Sequence, residues 1–166
     1  MRYIYEKIAI LLLVSLQSCF VHAELKYSSS ELTVWKLYHD FSWQALMHAG
    51  PDYPIHHQPV NILRKYFTEE LADLIKNDYE CAEKEKEICN LNFDIIFNSQ
   101  DASILSISID KQQSKNNIVV VKFNEFEEES MRYSISYEVQ NTKEGFKISN
   151  IIYSKSKDLK KLLASE

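Results

Sequence analysis

Apolar residues recur every three to four positions up to about Asn90 and every second position after it. A chain patterned this way places helices first and strands afterwards. That order excludes alternating βαβ folds and predicts an α+β domain, with N-terminal helices packed on one face of an antiparallel sheet of about four strands. A helix is predicted over residues 30–47, where Val34, Tyr38, Phe41 and Ala45 form a stripe flanked by Trp35, Leu37 and Leu46. Ser28, Ser29 and Ser30 offer caps before it. Gly50, Pro51, Pro54 and Pro59, four of the chain's five Gly and Pro, then dictate a loop. A second helical stretch begins near Asn61 and is interrupted where Thr68 can cap the run Glu69, Glu70, Leu71. Leu71, Leu74, Ile75, Tyr79 and Ala82 make its apolar stripe.

Four strands are predicted beyond Asn90. Leu105, Ile107 and Ile109 alternate with Ser106 and Ser108; residues 118–123 are densely apolar; Met131, Tyr133, Ile135, Tyr137 and Val139 alternate with polar residues; residues 146–153 form the fourth. The connections at 111–117, 124–130 and 141–145 are short and polar, as hairpins require. Residues 158–163 suit a last helical turn. A length of 166 residues accommodates one such domain with a sizeable core.

The first 23 residues have the three-part build of a secretory signal. Arg2 and Lys7 precede an apolar run over residues 8–16, too short to cross a bilayer, and Val21-His22-Ala23 suits signal peptidase. Cleavage after Ala23 leaves a single domain over residues 24–166. A second cut is legible before Cys19, because Leu16-Gln17-Ser18-Cys19 resembles a lipobox; it would leave Cys19 lipidated and the protein anchored to the outer membrane. Either cut means export, with the periplasm as the expected compartment. Cys81 and Cys89 then face oxidising conditions as an even pair, which reads as a disulfide. Eight residues of continuous helix would hold their Cα atoms about 12 Å apart, whereas a disulfide needs under about 7 Å, so the helix carrying Cys81 must end within residues 82–88.

Composition narrows the chemistry. With Gly50 and Gly145 as the chain's two glycines, no Gly-rich phosphate loop can be written, and a net charge of −5 gives no basic surface for nucleic acid. No cofactor is implied. His56-His57 could touch a metal, but no second pair at ligand spacing supports a site, so no metal is expected. His39-Asp40 is suggestive of proton transfer, yet adjacent helical residues are expected to diverge. Trp35, Tyr38, Phe41 and Trp43 are expected in the core, with Trp43 off the main stripe and available as a contact residue.

Two stretches carry a family likeness. Asn92-Phe93-Asp94-Ile95-Ile96-Phe97-Asn98-Ser99-Gln100-Asp101 resembles the Gln-Asp-terminated signature of the bacterial envelope family called domain of unknown function 3828. Gly145-Phe146-Lys147-Ile148-Ser149-Asn150-Ile151-Ile152-Tyr153 resembles that family's closing strand, Gly-x-Trp-Lys-Ile-x-Asp-Ile-x-Tyr, with Phe146 for its Trp and Asn150 for its Asp. The segment around Thr68 fits the family's capped second helix. The resemblance implies a cone-shaped fold like nuclear transport factor two, in which helices line a curved sheet and leave a pocket. Members look like exported proteins or lipoproteins, and some relatives of this shape are immunity proteins against toxins. Many cone-shaped domains dimerise through the outer face of the sheet, so a homodimer is open to this chain.

Two groups of residues are candidates for function. Asp94, Gln100, Asp101 and Asn150 can surround a polar ligand pocket, or Asp94 and Asp101 can cap turns with Asn150 completing the network. Strand alternation places Asn150 with Phe146, Ile148 and Ile152 on one face. Glu125, Glu127, Glu128 and Glu129 form an acidic hairpin tip, either a solvated loop or a steering patch for a basic partner. The leading expectation is therefore a non-enzymatic, exported domain with no catalytic residue, binding a protein partner such as a basic toxin in the manner of an immunity or inhibitor protein. The alternatives are a small-ligand binder or pocket enzyme built on the Asp/Gln/Asn group, and a lipid-anchored envelope-maintenance protein that touches the membrane through Cys19.

Overall fold

The computed structural model describes residues 27–42, 54–125 and 132–164. Helix α1, Ser29–Phe41, starts at a capping box: Ser28 Oγ accepts the Glu31 N–H, and the Glu31 carboxylate accepts the Ser28 N–H at 2.7 Å. Its C-cap is Ser42, and the expected continuation to residue 47 lies outside the described residues. After a single 3₁₀ turn at Ile55–His57, α2 runs Val60–Tyr66 and α3 runs Glu69–Glu85. The break between them falls at Thr68, whose hydroxyl caps α3. A short helix α4, Leu159–Ala164, ends the described chain. Among the described residues no helix is long and apolar enough to cross a membrane.

The sheet is a four-stranded antiparallel meander in sequential order: β1 Ile104–Ile109, β2 Ile118–Glu125, β3 Arg132–Thr142 and β4 Gly145–Ile152. The β3–β4 turn needs only Lys143 and Glu144, and Gly145 follows at φ +102°, a conformation that excludes most side chains. Val119, Val121, Phe123, Ile135, Tyr137, Val139, Ile148 and Ile151 are buried and share a face through the strand register. Val34, Leu37 and Tyr38 of α1, Leu71 and Ile75 of α3, and Leu159 of α4 close over them. The fold is thus α+β as its periodicity predicts.

Two bulges depart from simple alternation. In β1 the register steps from Ile104↔Glu125 to Ser106↔Asn124, so Leu105 is an extra residue. Ile104 takes the buried position and Leu105, expected on the core face, is 54% exposed. In β4 the register steps from Asn150↔Glu138 to Ile148↔Val139, leaving Ser149 as the extra residue. That insertion lets Ile148 and Ile151 both reach the core and moves Asn150 out of the expected Phe146–Ile148–Ile152 face, into register with Glu138.

Cys81 and Cys89 are joined, with Cα atoms 6.2 Å apart. Helix α3 stops at Glu85 because Lys86 adopts a left-handed conformation, φ 58°, which turns the chain back. The Asp78 carboxylate then accepts the Asn90 N–H at 2.8 Å, fastening the returning strand of the loop to the helix.

Candidate functional site

The segment from Asp94 to Ser99 is folded into the core rather than left at its surface. Asp94 and Ser99 form an isolated bridge, and Ile95, Ile96 and Phe97 are 0–3% exposed. Burying three consecutive peptide groups leaves carbonyls that need donors. Tyrosines supply them. Tyr38 donates to the Ile96 carbonyl at 2.6 Å, the Tyr137 hydroxyl lies 3.4 Å from the same oxygen, Tyr153 donates to Ile95 at 2.9 Å, and Tyr133 donates to Phe97 at 3.1 Å. The hydroxyls of Tyr38 and Tyr137 also bond each other. Four phenols, from α1, β3 and the end of β4, thus hold one inserted loop. Their assignment was not made from sequence, although Tyr133 and Tyr137 stand on the inward parity of β3.

Asp94 closes this loop from within. Its Oδ1 accepts the Ile96 N–H at 2.8 Å, its carbonyl accepts Asn98 N–H at 2.8 Å, and Asn98 takes the left-handed conformation that the turn demands. Burial pushes the Asp94 carboxyl up to about 6, against the pull of the Ile96 and Phe97 amides. Asn150 lies in a different network. Its amide oxygen accepts Ile151 N–H at 2.9 Å and Lys160 N–H at 3.1 Å, and its nitrogen donates to Asp158 at 3.3 Å, tying β4 to the start of α4. Gln100 and Asp101 are exposed. The four polar candidates therefore sit in three settings: a buried turn, a strand-to-helix clasp and a solvated loop end.

A second arrangement lies on α1. His39 Nδ1 and Asp40 Oδ1 are 2.8 Å apart, so these neighbours do meet, against the expectation that they diverge; exposure of both side chains leaves them free to bend together. The other Asp40 oxygen accepts the Tyr66 hydroxyl. The Tyr66 and His39 hydrogen bonds together hold the Asp40 carboxyl below its ordinary range. Asp40 and Tyr66 border a cleft of about 420 Å³ with Lys36, Lys65, Glu144 and Lys147. Lys147 is committed within it, donating to the Arg64 and Lys65 carbonyls at the end of α2 at 2.6 and 3.3 Å.

His39 also borders a groove of about 310 Å³ between α1 and β1, with Tyr27, Trp35, Ser42, Leu105 and Ile107. Trp35, expected in the core, is 39% exposed here. Its indole stands in a near-parallel stack, 6.2 Å from the Tyr27 ring and 4.9 Å from the His39 ring. Lys111 Nζ lies 5.3 Å over Tyr27, closing the end of the stack. Of the exposed large hydrophobics among the described residues, Trp35 and Leu105 line this groove; Ile88, in the disulfide loop, is apart from it. The apolar stripe of the helix gave no sign of this: Trp35 lies about 100° from Val34 but only about 60° from Tyr38 on the wheel, at the margin of the stripe, where spacing does not say whether a neighbouring element covers it.

His56 and His57 pack edge to face, with rings 4.4 Å apart, and His57 lies 4.8 Å from Tyr79. Burial lowers His56 to about 4 and keeps it neutral, and among the described residues its Nδ1 has no hydrogen-bond partner. Among the described residues no group of three or more His, Cys, Asp or Glu is arranged to hold a metal ion. Glu125 ends β2; Glu127, Glu128, Glu129, Trp43 and Cys19 lie outside the described residues. Comparison with protein-family models, curated proteins and solved structures finds no match for the chain.

Proposed function

We propose that the chain is an exported, non-enzymatic binding domain of the bacterial envelope that engages a protein partner through the groove between α1 and β1, in the role of an immunity or inhibitor protein. The observation that carries this is Trp35: a solvent-facing indole fixed between Tyr27 and His39, with Leu105 exposed in the same groove. Binding energy concentrates on such aromatic anchors, and an anchor already held in place loses little freedom on association. The signal-like residues 1–23 and the Cys81–Cys89 disulfide support export to an oxidising compartment. The acidic run Glu125, Glu127, Glu128 and Glu129 adds charge that would speed encounter with a basic toxin.

The test is affinity capture from envelopes and culture fluid with the wild type, Trp35→Ala, and a variant with the four Glu replaced by Ser. The expected result is one dominant protein retained by the wild type, lost with Trp35→Ala, and bound more slowly by the Ser variant. Equal retention by Trp35→Ala, with its circular dichroism unchanged, would remove the groove from the function.

A further inference from the structure

The two edges of the sheet are treated differently by the fold. β4 is closed: Thr68 donates its N–H to the Ile148 carbonyl at 2.8 Å, Phe67 bridges to Ile148, and Asp158 bridges to Ile152. β1 is open. The Asp110 N–H reaches the Val120 carbonyl at 2.8 Å, and the register Ser108↔Lys122, Ile109↔Val121 fixes the phase of the ladder from that bond. In an antiparallel pair hydrogen-bonded positions alternate, so Ser108 and Asp110 bond to β2 while the N–H and C=O of Ile107 and Ile109 point away from the sheet. Those four outward groups meet no hydrogen-bond partner among the described residues.

Open edges are ordinarily guarded by charge, proline or a bulge. Residues 104–109 contain neither charge nor proline. The bulge at Leu105 interrupts only the start of the strand, leaving Ser106 to Ile109 in regular register. The groove runs along this same stretch, with Ile107 and Ile109 in its wall and Trp35 opposite, and its lining has no Asp, Glu, Lys or Arg. Backbone donors and acceptors in a row beside an aromatic-walled groove with no Asp, Glu, Lys or Arg describe the complement of one kind of occupant.

Resting on the partner-binding proposal above, we infer that the β1 edge receives an extended segment of the partner polypeptide as a fifth strand. Its backbone forms up to four hydrogen bonds with Ile107 and Ile109, and an uncharged aliphatic or aromatic side chain on its helix-facing side enters the groove beside Trp35. Main-chain pairing supplies the register and the groove selects the side chain.

The probe is a phage-displayed library of short linear peptides selected on the purified protein, followed by amide hydrogen exchange with the best peptide bound. Enriched sequences are expected to alternate apolar residues and to lose binding to Trp35→Ala. In the free protein the Ile107 and Ile109 amides exchange fast; the peptide slows them about ten-fold or more, while Ser108 is already protected. The same peptide N-methylated at its β1-facing amides is expected not to bind, which avoids reliance on a proline variant of β1. Peptides that bind through Trp35 with Ile107 and Ile109 still exchanging fast would overturn strand addition and leave the partner groove standing. Protection that arises without peptide, on raising the protein's own concentration, would give the edge to a second copy and overturn the inference. Failure to enrich any peptide would overturn it too, and the capture experiment then decides whether the groove itself falls.

Discussion

Asp94 supplies a prediction whose sign runs against the usual acid sensitivity of proteins. Its carboxyl is buried, and burial raises it from an ordinary 3.8 to about 6. At 1.36 kcal/mol per pH unit, that span corresponds to about 3 kcal/mol of preference for the neutral acid in the folded state. Because the folded value lies above the unfolded one, the proton's contribution is complete below about pH 4 and is lost as pH rises through about 6. Asp94→Asn keeps an oxygen for the Ile96 N–H and removes the titration. Urea unfolding of both proteins, followed by circular dichroism from pH 4 to 8, isolates the effect in the difference between their free energies. Carboxylates held low in the fold, such as Asp40 and Asp110, act equally in both and cancel. The wild type is expected to gain on the variant by about 2.4 kcal/mol as pH falls from 7 to 4, about 2 kcal/mol of it between pH 6 and 4, with the remainder of the ~3 kcal/mol below pH 4. A flat difference would refute the buried-acid account. So would a slope of opposite sign, which would mean that the loop amides stabilise the carboxylate more than burial penalises it.

Three further perturbations test the frame around the site. Reducing the Cys81–Cys89 disulfide, or replacing both cysteines by Ser, should cost about 2.5 kcal/mol by loop-closure entropy, read as a lower Tm with reductant present; an unchanged melt would show that the loop is held by the Asp78–Asn90 bond without it. Tyr137→Phe removes a buried hydroxyl from the Ile96 carbonyl and Tyr38, and should cost about 1–2 kcal/mol in denaturant unfolding. The Tyr38→Phe, Tyr137→Phe double variant should cost more than the two single losses combined, since each single variant leaves one phenol for the buried Ile96 carbonyl and the double leaves none; strict additivity would argue that they act separately. Asn150→Asp sets an acid beside Asp158, which lies 3.3 Å from the present amide nitrogen. Like charges at that distance should destabilise the protein by about 1 kcal/mol or more at pH 7 and recover as the pH is lowered toward 4; equal stability at pH 7 would show that the clasp tolerates a second carboxylate.

The change of hydrophobic period near Asn90 was enough to place helices, strands and their order, because burial of one helical stripe and one strand face is a local matter of spacing. Thr68 ahead of the acid-started run Glu69, Glu70 and the cysteines eight residues apart were equally local, and both boundaries fall where capping and disulfide geometry require. Leu105 and Asn150 were misplaced for a common reason. A bulge adds one residue to one strand, and nothing in an alternating pattern marks where the partner strand declines to follow. Trp35 and the His39–Asp40 contact depend on what lies across from α1, and helical spacing holds no information about that surface.

The motif from Asn92 to Asp101 is the most distinctive run in the chain, and its distinctiveness has a physical account that requires no ligand. Ile95, Ile96 and Phe97 belong to the buried core, and each brings a peptide carbonyl inward with it. Asp94 and Asn98 make the turn that starts and closes the insertion, while phenols at Tyr38, Tyr133, Tyr137 and Tyr153 satisfy its carbonyls. Replacing any of these by a residue without the corresponding donor or acceptor leaves a buried polar group unpaired, so the run is constrained as tightly as a catalytic motif would be. Residues consumed in closing the interior are not available to a partner, so the proposed binding chemistry rests on the exterior. Among the described residues, an aromatic-walled groove beside an unpaired strand edge leaves both apolar surface and backbone hydrogen bonds unspent.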